Sequence, residues 1–481
     1  MSDREGDPTP NRVCSYPHHN IGAESRRQQQ ISQNGETQMN HEPRPKPSTG
    51  RTRQIVAVGI GNFMEWYDFA IYGFFATVIG SNFFPSSNPT ASLLAALAVY
   101  GVAFLMRPVG GFFIGAIGDR RGRRFALVLS VVMMGGATTL IALLPTYQQI
   151  GILAPLLLVV LRCLQGFSAG GEYTGSTAFL VENSAPHRRG LTASVVPFTG
   201  ALAVAAGAVT ALVVQTVMSP DDVSSWGWRI PFLAAFPLTF VGLYLRTKLA
   251  DTEVFQELKA QGAVTDSPIR QVGRNNRKSL AISFALSAIT VLGFYYLAAY
   301  VPTYLIVEAK MPRPTALEVV AVGALIYAVL CPTMGLLSDR VGRRPVSLLG
   351  GAGLAAASVP AFLLMLTGNP AAALLGIVLF GLFLAMHIST TTVMFIELFP
   401  AQIRSTGSAI GYNLAASLIA GPGPLIAAAL ATQGPGLPAV YMVAVAVVCT
   451  ALLWRFLPET RWSDIAPIQE AHEPAPRIAR T

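Results

Sequence analysis

The sequence predicts an all-α membrane protein with twelve transmembrane helices in two pseudo-symmetric six-helix halves. Hydrophobic residues make up 52% of the chain against 12% charged, and mean hydropathy is +0.49. A soluble chain of this size carries about 25% charged residues to cover its surface. Lys and Arg gather in alternate connections between the apolar runs. The stretch G-A-I-G-D-R-R-G-R-R from Gly115 returns as G-L-L-S-D-R-V-G-R-R from Gly335, an offset of 220 residues, which marks a duplicated half.

In chain order, residues 1–50 are rich in Pro, Gln, Asn, Ser and charge and read as a disordered tail without a signal peptide. Helices are expected near 54–80, 91–117, 125–144, 151–180, 190–217 and 229–249, making a first half of residues 51–249. A loop over 250–278 leads to a second half, 279–458, with helices near 280–306, 317–337, 345–367, 371–397, 406–430 and 438–457, and then a tail at 459–481. Each run approaches the roughly 20 residues that cross a bilayer. The G-P-G-P run at 421–424 predicts a bend in the eleventh helix.

The basic clusters follow the even-numbered helices: Arg120 to Arg124, Arg188 and Arg189, Lys248 through Lys278, Arg340 to Arg344, and Arg404. The positive-inside rule then places both termini in the cytoplasm of a multi-pass cell-membrane protein. The net charge of +9 is thus topology, and no nucleic-acid partner is expected. Cys14, Cys163, Cys331 and Cys449 lack C-x-x-C spacing, so neither a disulfide framework nor a metal site is expected.

Charges inside the apolar runs are the chemical signal. Helix one carries Glu65 and Asp68 at i and i+3, on one face. Asp68 lies near the midplane, Arg107 on helix two and Arg162 with Gln165 on helix four come to similar depth, and Glu172 sits about one turn from the cytoplasmic interface. Ionised groups at such depth are costly unless paired or hydrated, so they are candidates for substrate binding and proton coupling. A carboxylate of this set, Glu65 or Asp68, that takes a proton from outside would release its arginine to a substrate carboxylate. A fixed ion pair holding helices together is the alternative. His387, on helix ten, reads as a hydrogen-bonded core histidine before a proton relay.

The two repeats sit in very short loops, where Gly115, Gly122, Gly335 and Gly342 permit tight reversal. Asp119 and Asp339 are placed to accept hydrogen bonds from nearby arginines or a helix N-terminus. A second echo, E-N-S-A-P-H-R-R-G from Glu182 and E-L-F-P-A-Q-I-R-S-T-G from Glu397, keeps nearly the same offset. Paired loops of this kind resemble the signature of the major facilitator superfamily. The resemblance implies that Asp119, Arg120, Arg123 and Arg124, with Asp339, Arg340, Arg343 and Arg344, form a cytoplasmic latch between the halves.

M-E-W-Y-D-F, F-L-M-R-P-V-G-G, R-C-L-Q-G-F-S-A-G-G-E-Y-T-G and W-G-W-R-I-P-F together resemble the metabolite:proton symporter family, over residues 54–462, and within it the proline/betaine carriers. The resemblance implies a symporter that needs no cofactor, uses H+ as coupling ion, imports a small-molecule substrate and works as a monomer in the lipid bilayer. A dicarboxylate such as 2-oxoglutarate, clamped by both arginines, is the rival cargo. Efflux by exchange is a weaker rival, because helix five lacks the G-x-x-x-G-P-x-x-G-G pattern of exporters. Trp66, Tyr67 and Tyr72 on helix one, and Tyr295, Tyr296, Tyr300 and Tyr304 on helix seven, are the aromatic faces at hand for a quaternary ammonium.

Overall fold

The computed structural model describes the backbone of residues 49–121, 123–247, 276–400 and 403–463. The expected tail through residue 48, the loop from 248 to 275 and the tail from 464 lie outside the described residues. Chain contacts set Met1–Arg51 apart as one unit and Thr52–Thr481 as another, which carries the helical bundle.

Every regular element among the described residues is helical. The long helices are α1 (Thr49–Phe74), α2 (Pro89–Ile114), α3 (Phe125–Leu143), α4 (Leu153–Glu182), α5 (Pro186–Val217), α6 (Arg229–Thr247), α7 (Arg277–Val307), α8 (Arg313–Val341), α9 (Arg343–Leu366), α10 (Pro370–Glu397), α11 (Thr406–Ala431) and α12 (Leu437–Phe456). Ten of them, α2 to α5 and α7 to α12, are long and apolar enough to cross a bilayer. The apolar part of α6, Arg229–Tyr244, is shorter, and α1, one continuous helix, carries Glu65 and Asp68 within its apolar run.

Local chemistry sets the ends. Asn88 and Asn369 each cap a helix that opens with proline, their side chains accepting from Thr90 N at 2.9 Å and from Ala371 N at 2.9 Å. Between α8 and α9 the chain reverses at one residue, Gly342, whose φ of 119° excludes other residue types. Glu459 then accepts from the first amides of α9, Arg343 N at 2.9 Å and Arg344 N at 3.1 Å. The G-P-G-P run does break α11: a π-helical turn, Ala416–Ala420, precedes it and α-helix resumes at Gly423.

The bundle inverts the usual distribution of polarity. Its outside exposes Leu105, Phe112, Phe113, Leu140, Val217, Phe240 and Val329, while Arg107, Arg162, Glu65 and Asp68 are buried. Such a surface suits hydrocarbon and such an interior needs internal pairing. α9 packs on α10, α5 on α8 and α3 on α6. At the crossing of α2 and α4, a side chain at Gly166 would overlap the Ala103 carbonyl and one at Gly170 the Arg107 carbonyl. The register sets Gly170 beside Arg107, so Arg162 lies eight residues, about 12 Å, back along α4 from that level, and the two arginines are not at the similar depth the sequence suggested.

Candidate functional site

The acids of α1 each meet one arginine. Glu65 pairs with Arg107 of α2, and Asp68 with Arg162 of α4 at 3.4 Å, all four side chains at 1% exposure or less. Gln165, one turn along α4, donates to Asp68 Oδ2 at 2.7 Å and to Thr138 of α3 at 2.9 Å, and accepts from Arg162 at 2.9 Å. Asp68 Oδ1 has no hydrogen-bond partner among the described residues. The Phe69 ring lies under both guanidinium groups, 5.6 Å from Arg107 and 5.0 Å from Arg162.

The two arginines face different neighbours. Arg162 is enclosed by the first part of the chain, over Tyr72 at 4.2 Å and Tyr100 at 5.5 Å. Arg107 reaches across to the second part, donating to Tyr295 Oη at 2.9 Å and lying 5.9 Å from the rings of both Trp66 and Tyr412.

Trp66 and Tyr412 also line a narrow pocket with Tyr173, Phe294, Pro197, Gly200 and Thr290. Of its four rings, two from each part of the chain, Trp66 and Tyr412 stand beside Arg107, and as it stands the pocket has room for about one water molecule. Trp66 meets Phe294 edge-on at 4.4 Å, and Tyr173 stacks on Tyr412 at 4.5 Å. The other aromatic candidates point elsewhere: the hydroxyls of Tyr67, Tyr72, Tyr296, Tyr300 and Tyr304 donate to the carbonyls of Pro231, Ala96, Pro438, Ala427 and Pro435. Tyr295 contacts Arg107 without lining the pocket.

Glu172 lies in the interior of the bundle. It is buried ten residues before the end of α4, paired with Arg246 of α6 and accepting from Ser130 and Ser176 at 3.1 Å each. α4 is interrupted by a turn at Gly170 and Gly171, restarts at Glu172 and ends at Glu182. His387 has its ring nitrogens against two backbone carbonyls, Ser347 O at 2.9 Å and Leu286 O at 3.1 Å, which ties α7, α9 and α10 together.

At the arginine-rich end, Asp339 accepts from the amides of Gly190 and Leu191, both at 2.9 Å, and from Arg343 at 2.7 Å. It thus caps the start of α5 from α8, the two alternatives the sequence offered for it occurring together. Arg343 also reaches Glu397 at 3.5 Å, and Arg404 reaches Glu182 at 3.3 Å, joining the two echo motifs across the molecule. Arg461 donates to the Arg340 carbonyl, and Arg344 to that of Trp454. Of the other copy, the side chains of Gly115, Asp119, Arg120, Gly122, Arg123 and Arg124 lie outside the described residues. At the opposite end Arg313 donates to Thr77 at 2.8 Å, and Gly73 abuts Ala299.

A family model described as Major Facilitator Superfamily matches residues 58–422 and 319–479. The chain belongs to the major facilitator superfamily. It is therefore a multi-pass membrane transporter and not an enzyme. The proline/betaine transporter of Escherichia coli K12 is 36% identical over 411 residues, covering 83% of this chain and 82% of that one. The glycine betaine/proline/ectoine/pipecolic acid transporter OusA of Dickeya dadantii is 35% identical over 414 residues, with the same coverage. Among superfamily structures, the proton:xylose symporter XylE bound to 6-bromo-6-deoxy-D-glucose superposes with a TM-score of 0.70 at 16% identity, over 86% of this chain and 97% of that one.

Sequence reasoning missed Tyr173, Phe294, Tyr412 and Arg246. Tyr173 lay inside the G-G-E-Y-T-G-S motif next to Glu172, and Arg246 stood where basic residues are read as topology; the other two carry no local signal.

Proposed function

We propose that this transporter is a proton-coupled symporter that imports a small zwitterion with one carboxylate and one quaternary or secondary ammonium, proline or betaine among them, by alternating access. The observation that carries the reading is the juxtaposition of a four-sided aromatic pocket with the Arg107–Glu65 pair. Aromatic faces attract a desolvated ammonium by about 0.5–2 kcal/mol each, and a guanidinium binds a carboxylate in a fixed geometry. Charges a few bonds apart in one solute match that spacing. The relatives named for proline and betaine transport point the same way.

In this reading α1 and α6 complete a set of twelve spans with the ten long apolar helices, six in each half, and the arginine-rich end with both termini is cytoplasmic. Asp339, Arg343 and Arg404 close the cytoplasmic side, and the Arg313–Thr77 and Gly73–Ala299 contacts close the other, leaving the pocket occluded between them. The substrate carboxylate takes Arg107 from Glu65, and one proton compensates the two acids of α1. Asp68 carries it, on Oδ1, which has no hydrogen-bond partner among the described residues. Both events act on the same helix, one turn apart, so binding of either reorganises it for the other.

Arg162 is turned away from the pocket, which disfavours a clamp of two arginines on a dicarboxylate. Radiolabelled uptake into proteoliposomes with an acid exterior tests the reading. Glycine betaine and proline are expected to accumulate, and 2-oxoglutarate is not. Uptake indifferent to the gradient removes proton coupling, and accumulation of 2-oxoglutarate alone removes the zwitterion.

A further inference from the structure

A threonine hydroxyl inside a helix commonly donates to the carbonyl four residues back. Thr138 does so to Met134 O at 2.9 Å, Thr210 to Ala206 O at 2.7 Å, Thr239 to Ala235 O at 2.9 Å and Thr392 to Ile388 O at 2.7 Å. Thr290 of α7 departs from this pattern: it is 1% exposed, and its Oγ1 has no hydrogen-bond partner among the described residues. The cause lies one turn back, at the Leu286 carbonyl. His387 Nε2 stands 3.1 Å from that oxygen, which can only accept, so the ring nitrogen donates to it. The α-helical ladder brings the Thr290 amide to the same atom. A carbonyl oxygen has two lone pairs, so none is left for the hydroxyl.

Thr290 lines the pocket between the two parts of the chain, together with Trp66, Tyr173, Phe294 and Tyr412. Phe294 follows it by one turn on the same face of α7. Tyr173 Oη is engaged with Thr392 Oγ1 at 2.9 Å, and Pro197, Val291 and Ile388 bring no polar side-chain atom. Of the lining residues, Thr290 is the one with an unpartnered buried side-chain oxygen among the described residues. A buried hydroxyl in that condition is destabilising until something supplies the missing bond. The walls belong to both parts, Trp66 and Tyr173 to the first and Thr290, Phe294 and Tyr412 to the second. In the alternating-access reading above, parting of the two widens the pocket from the size of one water molecule to admit a solute.

Quaternary and secondary ammonium groups make different demands on such a wall. A quaternary ammonium carries carbon substituents and no N–H, and aromatic faces meet its needs. A secondary ammonium carries two N–H donors, which ring faces serve poorly. A hydroxyl oxygen serves them well, through a charge-assisted bond roughly twice as strong as a neutral one. We infer that Thr290 sets the choice between the two: its Oγ1 accepts an N–H of a secondary ammonium such as that of proline, and gives nothing to a quaternary one such as that of betaine. The inference rests on the zwitterion reading above and names the group that discriminates within it.

The test measures the KM for proline and for glycine betaine in the same proteoliposomes and compares their ratio across variants. Thr290→Val keeps the β-branched shape and removes the oxygen, and is expected to raise the proline-to-betaine KM ratio about tenfold or more. Thr290→Ser, which restores an oxygen, is expected to bring the ratio back to within about threefold of wild type. N,N-dimethylproline keeps the ring and carboxylate of proline but has no N–H. As an inhibitor of betaine uptake, its constant relative to that of betaine is expected to stay where it is in Thr290→Val. Thr290→Ala carries the same comparison if Thr290→Val fails to fold. An unchanged proline-to-betaine ratio in the folded variant overturns the inference, and a purely structural role for Thr290 gives that result, because it moves both constants together. A ratio for N,N-dimethylproline that moves as far as that for proline also overturns it. Failure of the wild-type protein to accumulate either solute overturns the zwitterion reading and the inference with it, an outcome distinct from an unchanged ratio.

Discussion

The two parts of the bundle carry their buried charge at different depths. In residues 55–247, three ion pairs occupy the interior, Glu65–Arg107, Asp68–Arg162 and Glu172–Arg246. In residues 277–457, the buried ion pairs among the described residues join Arg343 to Asp339 and Glu397, while Arg404 reaches across to Glu182 of the first part, all at the arginine-rich end, and the middle is built from hydroxyls, aromatic rings and His387. An unpaired charge at mid-depth costs about 2.5–3.5 kcal/mol or more, so the first part is organised around groups whose pairing can change. The second supplies Phe294 and Tyr412 to the facing wall of the pocket. The two parts thus carry unequal chemistry.

The sharpest way to break this contrast is to exchange buried polar groups one at a time. Asp68→Asn is expected to abolish gradient-driven accumulation of glycine betaine, by about 100-fold or more, since removing one partner of a buried pair costs about 3–5 kcal/mol. His387→Asn is expected to keep accumulation within a few-fold and to lower the melting temperature instead, as loss of about 1 kcal/mol per hydrogen bond implies. Full accumulation in a well-expressed Asp68→Asn protein would remove that carboxylate from the cycle.

An intermediate effect is expected at the closure. Asp339→Asn replaces charge-assisted bonds to Gly190, Leu191 and Arg343 with neutral ones, a loss of about 1.5–3 kcal/mol. A cysteine placed at the buried Ser194 should then be alkylated about tenfold faster from the arginine-rich side. Unchanged labelling would mean that the contact does not hold the two parts shut. The smallest effect belongs to the pocket wall. Tyr412→Leu removes one aromatic face and should raise the KM for betaine about threefold to tenfold, whereas Tyr296→Leu, whose hydroxyl is occupied by Pro438, should leave it unchanged.

How far this was legible in the sequence differs by physical scale. Charges inside apolar runs stand out at once, so Glu65, Asp68, Arg107 and Arg162 needed no structure to be found. Which acid meets which arginine depends on the rotation and register of α1, α2 and α4, set by the Gly166 and Gly170 crossings rather than by any local pattern. The aromatic wall was partly misread for the same reason: a tyrosine near the middle of a helix has the same neighbours in sequence whether it faces a pocket, as Tyr412 does, or a backbone carbonyl, as Tyr300 does. Arg246 was hidden by a rule that is usually correct, because a basic residue at a helix end marks topology unless a buried acid on another helix claims it.

The contact of Asp339 with α5 has a consequence for how such a protein tolerates change over generations. The carboxylate reads two backbone amides and no side chain of its target, so residue 191 can drift without altering what Asp339 recognises. Residue 190 has no such freedom, since a methyl group there would come within 2.6 Å of the Gly335 carbonyl and Arg343. Inheritance at this joint therefore acts on shape at residue 190 and on charge at residue 339, and leaves the side chain at residue 191 open to variation.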